Sequence, residues 1–145
     1  MMFTPEFVNN GDKDNLPGYL GIVAVEIGKE YAILEMPLRP SHLNILRSVH
    51  GGSIVSLADT TAGYATYANL PEKAEGFTTL ELKCNFIRGV GKGTLQCRAD
   101  CIHKGNKTQV WDATVIEKST GKKIAEFRCT QFILYPRKNE ETEDG

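Results

Sequence analysis

His50-Gly51-Gly52-Ser53-Ile54-Val55-Ser56-Leu57-Ala58-Asp59 opens the stretch that decides the fold of this 145-residue chain. A histidine and two glycines lead into an alanine-rich run that continues without proline to about Asn69. The run is apolar nearly all round, as expected of a helix buried at the centre of a domain. At 100° per residue, Ile54, Leu57, Ala58, Ala65 and Ala68 form one stripe. Asp59 lies opposite that stripe, near Gly52, Gly63 and Thr66. From Gly51 through Pro71 it is the only residue with a full charge. A lone carboxylate on so apolar a helix is costly to bury without a partner. Asp59 is therefore the first candidate for chemistry; the alternative is a capped or solvent-facing helix residue.

Upstream, residues 39–50 show no periodicity and read as a loop, entered through Pro37 and Pro40. Leu20 to Ile27 and Glu30 to Leu38 read as strands joined by a turn at Gly28-Lys29. In the second, Tyr31, Ile33 and Glu35 alternate with Ala32, Leu34 and Met36, the period of a sheet. Residues 1–15 are Asn/Asp-rich, with a short helix expected near Pro5 to Val8. Downstream come four strand candidates, Phe77 to Arg88, Gly93 to His103, Thr108 to Lys118 and Lys123 to Leu134. Their links are short, polar and glycine-bearing, which favours antiparallel neighbours.

Two strands, one buried helix and a four-strand meander make an α+β layout, one antiparallel sheet around one central helix. The expectation is a single domain over 1–145, with an ordered core at about 18–135 and a disordered charged tail over 136–145. A helix apolar on both sides needs a second cover, which a twofold partner would supply.

A formal net charge of −1 gives no sign of attraction to nucleic acid or membranes. No apolar run approaches the roughly 20 residues of a membrane span. The start, Met1-Met2-Phe3-Thr4-Pro5-Glu6, lacks the features of a secretion signal, so the expected location is the cytoplasm. Cys84, Cys97, Cys101 and Cys129 form no CxxC pair and fall in strand-like segments, so they are expected to be reduced, packed thiols. No metal site is expected.

Asn44, His50-Gly51-Gly52 and Leu57-Ala58-Asp59 stand at spacings that resemble the hotdog-fold acyl-CoA thioesterases of the phenylacetate-degradation (PaaI-like) type. That pattern is an Asn, six residues to His-Gly-Gly, then nine from His to Asp in a Leu-Ala-Asp context. The segments Asp59 to Ala65 and Thr78 to Arg88 are also family-like, and the likeness covers roughly residues 18–135. Two positions depart from it: Arg47 stands where the family often has Gly, and Gly89 where it often has Pro.

The resemblance implies a hotdog fold and hydrolysis of an acyl- or aryl-acyl-CoA, with no cofactor beyond the coenzyme A of the substrate. It implies active sites at a homodimer interface, often in a homotetramer built as a dimer of dimers. Asn44, His50 and Gly51 of one subunit would then meet Asp59 and Thr79 of the other. Backbone N–H groups at the glycine-rich head of the helix suit an oxyanion, because they are unpaired there and glycine admits a close approach. Gly51 and Gly52 fit that role. Asp59 would be nucleophile or general base, with Thr79 as its partner. Asn44 would hold water, and His50 would support the loop or polarise the carbonyl.

Each position also has a plainer reading. His50 suits a loop histidine, Asn44 a turn former, Gly51-Gly52 a sharp junction and Thr79 strand packing. Arg88, Lys104 and Lys107 would meet coenzyme A phosphates, or they are solvated charges. His42 and His103 read as surface or loop residues. Two other functions stay open: a non-catalytic acyl-CoA binding protein on the same fold, and a hotdog hydratase or dehydratase.

Overall fold

Tyr31–Pro37 shows how the chain sorts its side chains. Ala32, Leu34 and Met36 are fully buried, while Tyr31, Ile33 and Glu35 lie on the other, partly exposed face, the alternation read from the sequence. We analysed a computed structural model, which describes residues 2–138. In chain order the elements are α1 (Pro5–Gly11), α2 (Leu16–Tyr19), β1 (Val23–Gly28), β2 (Tyr31–Pro37), a 3-10 turn (Pro40–His42), α3 (Gly51–Ala68), β3 (Gly76–Phe86), β4 (Thr94–Lys104), β5 (Thr108–Glu117) and β6 (Lys123–Leu134).

The six strands form one antiparallel sheet in the order β1-β2-β4-β5-β6-β3. β3, the first strand after the helix, lies at the edge farthest from β1 and pairs only with β6. The link from β2 to β3 therefore crosses the whole sheet, and α3 makes that crossing, packed against all six strands. The expected α+β architecture is the observed one.

Small side chains let the sheet close on the helix. Ala58, Ala62 and Ala65 are fully buried beside Ile54 and Leu57. Thr61 and Thr66 can be buried with them because each hydroxyl donates to the carbonyl one turn back, Leu57 and Ala62, at 2.7 Å. Two details of the sequence reading change. Thr66 belongs to the buried stripe rather than to the face opposite it. Ala68, in the last turn, is exposed and lines an open groove with Met2, Phe3 and Tyr67.

A buried polar network pins the end of α3 to the sheet. Asn69 donates to Ala65 O (2.8 Å) and Gly28 O (3.0 Å) and accepts from Glu30 N (2.8 Å). Gln109 donates to Asn69 O and accepts from Trp111 Nε1, both at 2.9 Å. Each member is satisfied, so the network fixes the helix without a desolvation penalty left open.

Three further departures come from backbone pairing that periodicity does not encode. Residues 16–19 form a short helix, so β1 starts at Val23 and not at Leu20. The core also begins before residue 18: Val8 is buried, and Asn9 exchanges two hydrogen bonds with the backbone of Ala24, at 2.8 and 3.0 Å, which covers part of the β1 edge. His42, expected as a surface or loop residue, lies in the loop but is fully buried. Its Nδ1 accepts from Arg39 N at 3.1 Å, which leaves the proton on Nε2, 2.6 Å from Leu20 O. Burial pushes its pKa down.

The four cysteines are free, and burial raises the pKa of each thiol, to about 12 for Cys97 and Cys129. Of the tail expected to be disordered, residues 139–145 lie outside the described residues. Among the described residues no helix is long and apolar enough to cross a membrane.

The β5–β6 turn is held by one carboxylate. Glu117 accepts from Ser119 Oγ (2.7 Å), Thr120 Oγ1 (2.7 Å) and Thr120 N (2.8 Å), which hold its pKa down at about 2. A depressed folded pKa contributes stability above the unfolded value, lost as pH falls through the folded one. Glu117→Gln should therefore unfold more easily than wild type at pH 7, with the gap closing between about pH 5 and pH 2. Denaturant melts of both proteins across that range check it; a gap independent of pH would contradict it.

Candidate active site

The head of α3 is capped by the histidine that precedes it. His50 has extended backbone angles, and its Nδ1 accepts from Gly52 N at 2.8 Å. Its carbonyl accepts from Ser53 N (2.9 Å) and Ile54 N (3.3 Å). Among the described residues the N–H of Gly51 has no acceptor, so it is the donor left over at this terminus. Because Nδ1 accepts, the proton of neutral His50 sits on Nε2, and the ring is exposed.

Both glycines have steric reasons. A Cβ on Gly52 would stand 3.0 Å from His50 Nδ1, and one on Gly51 would stand 3.1 Å from Phe86 Cζ. Of the two glycines expected to form the oxyanion site, Gly51 keeps its N–H free of a bond among the described residues, whereas the Gly52 N–H is engaged by His50. Gly51 lines a cleft of about 320 Å³ with Ser48, Val49, Ile54, Phe86, Ile87, Arg88 and Gly89.

Asn44 is a turn former. Its Oδ1 accepts from Leu46 N (3.0 Å) and Ser48 N (3.2 Å), and its backbone pairs with Arg47 N and Ser48 O. A water-holding role would fall to its Nδ2 alone. Arg47 adopts φ +64°, the left-handed region that glycine enters at least cost, which explains a family preference for Gly there. The loop keeps that turn despite the arginine. Its Ser48 Oγ would lie 2.8 Å from a Cβ on Gly89, the second departure from the family pattern.

Asp59 sits at the margin between the covered and uncovered faces of α3, half-buried. Burial raises its pKa. Among the described residues no donor is bonded to its carboxylate. The partnership expected with Thr79 is not formed: the Thr79 hydroxyl donates to Gln131 Oε1 at 2.6 Å. Gln131 is fully buried, and its Nε2 has no acceptor. Sequence reasoning missed this residue. Its signal was an amide on the inward face of β6, in phase with Phe127, Cys129 and Ile133. It also missed His42, whose carbonyl accepts from His50 N (2.8 Å) and Ser53 Oγ (3.0 Å) and so supports the cap.

The basic residues divide. Arg88 lines the cleft beside Gly51 and an adjoining groove of about 470 Å³ that also holds Lys92 and Lys122. Lys104 and Lys107 lie at the β4–β5 turn, the far end of β4 from Gly93, which lines that groove. Ten residues of strand are about 33 Å, so within one chain Lys104 and Lys107 do not join Arg88. Their separation follows from the meander, which places successive turns at opposite ends of the sheet. His103 is exposed, as expected. Among the described residues no group of His, Cys, Asp and Glu could hold a metal ion.

Residues 46–129 match the Thioesterase superfamily. The chain belongs to that family. Over 112 residues it is 31% identical to acyl-coenzyme A thioesterase PaaI of Escherichia coli, covering 75% of each chain. Over 131 residues it is 27% identical to the 1,4-dihydroxy-2-naphthoyl-CoA hydrolase of the same organism, covering 90% of this chain and 95% of that one. Its structure superposes on a thioesterase of Haemophilus influenzae with a TM-score of 0.87 at 25% identity, covering 97% and 96% of the two chains. It is a PaaI-like hotdog thioesterase and a thioester hydrolase.

In this thioesterase the state of Asp59 has a measurable consequence. An Asp whose folded pKa is raised favours folding below its unfolded pKa and disfavours it as pH rises through the folded value. Asp59→Asn should therefore be more stable than wild type at pH 7, with the advantage vanishing below about pH 4. Thermal melts at both pH values check this; a variant no more stable at pH 7 would contradict it.

Proposed function

We propose that the protein hydrolyses acyl- or aryl-acyl-coenzyme A thioesters to the free acid and coenzyme A. Asp59 is the nucleophile or general base, and the Gly51 N–H is the oxyanion donor. One observation carries this reading: an unpaired N–H heads the same helix that holds a desolvated carboxylate. The names of the two Escherichia coli relatives support coenzyme A thioesters as the substrate class.

The thioester carbonyl oxygen takes the Gly51 N–H, assisted by the helix dipole and by the Nε2–H of His50. In the general-base route Asp59 removes a proton from water, whose oxygen adds to the carbonyl carbon. In the nucleophilic route the Asp59 carboxylate adds instead, forming an anhydride that water opens. In both, the carbon–sulfur bond breaks and the sulfur leaves as thiolate, which takes up a proton. Arg88, Lys92 and Lys122 line the groove next to the cleft, where they suit the phosphates of the coenzyme.

The two halves of the site belong to different copies of the chain. His50 and Asp59 are nine residues apart on one helix, about 13 Å along its axis. One thioester cannot reach both ends of that span. A homodimer, alone or paired into a tetramer, would set Asn44, His50 and Gly51 of one subunit against Asp59 and Thr79 of the other. Two features support a second copy: β3 is an unpaired edge strand, and it exposes Leu80 (59%) and Phe86 (55%).

Thiol release from a panel of acyl- and aryl-acyl-CoA substrates tests the activity, and no turnover on any of them overturns it. Asp59→Asn should lower kcat by about 10²–10⁴-fold.

With Gly51→Ala as the control that adds the Cβ beside Phe86 but keeps the N–H, Gly51→Pro removes the donor, because proline is tolerated at the first helical position. It should cost about 10²–10³-fold in kcat. Co-expressing the two inactive variants should restore activity, since a mixed dimer holds one intact site. No recovery in isolated mixed dimers would contradict a shared site.

A further inference from the structure

Gln131 is the residue that neither the sequence nor the proposed mechanism uses. Its amide is fully buried, and its Nε2 is the one buried side-chain nitrogen or oxygen without a hydrogen-bond partner among the described residues. On its β5 side no bond is formed to it. The neighbouring residue in register is Gln109, whose amide is already engaged with Asn69 and Trp111. On its β3 side Thr79 donates to Oε1, which fixes the amide plane and turns Nε2 away from Thr79.

The geometry of α3 against β3 says what lies there. Gly51 faces Phe86, and Gly63 faces Phe77, so the helix and the strand run in opposite directions. Asp59 therefore stands opposite the 79–82 stretch of β3. The register of β3 with β6 pairs Thr79 with Gln131 and Leu82 with Cys129. The Asp59 carboxylate also bears on the Cys129 thiol and raises its pKa. Cys129 and Gln131 are two residues apart on one face of β6, about 7 Å. An unpartnered carboxylate and an unpartnered amide donor thus border the same space between helix and sheet.

We propose that Gln131 is the positioning residue for Asp59: with Oε1 held by Thr79, its Nε2 is the hydrogen-bond donor to the Asp59 carboxylate. The role of Asp59 in turnover rests on the function proposed above; the contact itself does not. The bond holds one carboxylate oxygen and leaves the other for water or the carbonyl carbon. It also favours the ionised form that either chemical route needs. Thr79 then acts through Gln131, not on Asp59 directly.

The titratable groups on the faces turned toward α3 are Cys129 on β6, Cys84 on β3 and Cys97 on β4, with Tyr64 and Tyr67 on α3 itself; Glu81 and Lys83 on β3, Glu126 and Arg128 on β6 and Asp112 on β5 alternate with them on the outward face. Glu81 is engaged by Thr130 Oγ1 at 2.7 Å, and Tyr64 by Asp12. The β5 side presents Gln109 and Trp111, which do not titrate.

The test is a carbon-13 NMR titration of side-chain carboxyls in the full chain, with the Asp59 signal assigned by its loss in Asp59→Asn. In Gln131→Leu, Asp59 should become about a ten-fold weaker acid, so its midpoint moves to higher pH. Thr79→Val should move it the same way by less, and Thr79→Ser should restore it. The acidic limb of the kcat/KM profile should follow the same order, with KM nearly constant. An unmoved Asp59 midpoint in folded Gln131→Leu overturns the proposal, even if that variant melts earlier. Should Gln131→Leu not fold, an unmoved midpoint in Thr79→Val overturns it instead. Absence of thioester turnover by the wild type would remove the proposed function, while the titration would still decide the contact.

Discussion

Everything in this structure depends on one helix being covered from one side only. α3 gives the sheet Ile54, Leu57, Ala58, Thr61, Ala62 and Ala65, residues small or flat enough for six strands to approach. Burial of that face supplies the hydrophobic drive, and the Asn69–Gln109–Trp111 network sets where the helix stops. Both features of the proposed chemistry follow from that placement. The N-terminus projects beside Phe86 at the end of the sheet, where its one spare N–H reaches a cleft. Asp59 falls on the margin of the covered face, dry enough to be a poor carboxylate and open enough to be reached.

The residues of the sheet were legible because periodicity speaks directly about burial. Alternation in Tyr31–Pro37 gave the inner face of β2, and the polar links after Pro71 gave the meander. Legibility ended where backbone groups choose partners far along the chain. Nothing in Pro40-Ser41-His42 announces that the His42 ring will be buried against Leu20 O, or that its carbonyl will support the cap of α3. The site shows the same division. Asp59 stood out because charge on an apolar helix is expensive. His50 and Gly51 stood out through a resemblance, but the sharing of N–H groups between the cap and the cleft is a geometric fact. Asn44 has both a turn-forming and a water-holding chemistry, and the local bonds of its own loop use its Oδ1 for the first and leave Nδ2 for the second.

Under the proposed function one chain is a poor unit of catalysis. A helix offers its spare N–H groups only at its start, and the dipole acts within the first turn. A carboxylate two and a half turns further on gains nothing from that terminus. The sequence nevertheless carries both on the same helix, nine residues apart. The arrangement is economical if a twofold axis brings two such helices together, because each then supplies the part the other lacks. The unpaired edge of β3, with Leu80 and Phe86 exposed along it, is the feature that such a pairing would cover.

Asp59 and Gln131 make the same point at the scale of single atoms. Each carries an unmet requirement: the carboxylate is desolvated without a donor, and the amide has a donor without an acceptor. Left unpaired, the buried amide costs about 1–3 kcal/mol of stability. A fold selected only for stability would replace Gln131 with an apolar residue, as it has done at Phe127 and Ile133 on the same face. The amide is more naturally understood as matching the carboxylate. Thr79 supplies the reason the match is specific, since its hydroxyl fixes which end of the amide turns toward the helix. In this view the conspicuous carboxylate and the quiet glutamine belong to one device, each supplying the partner that the other lacks.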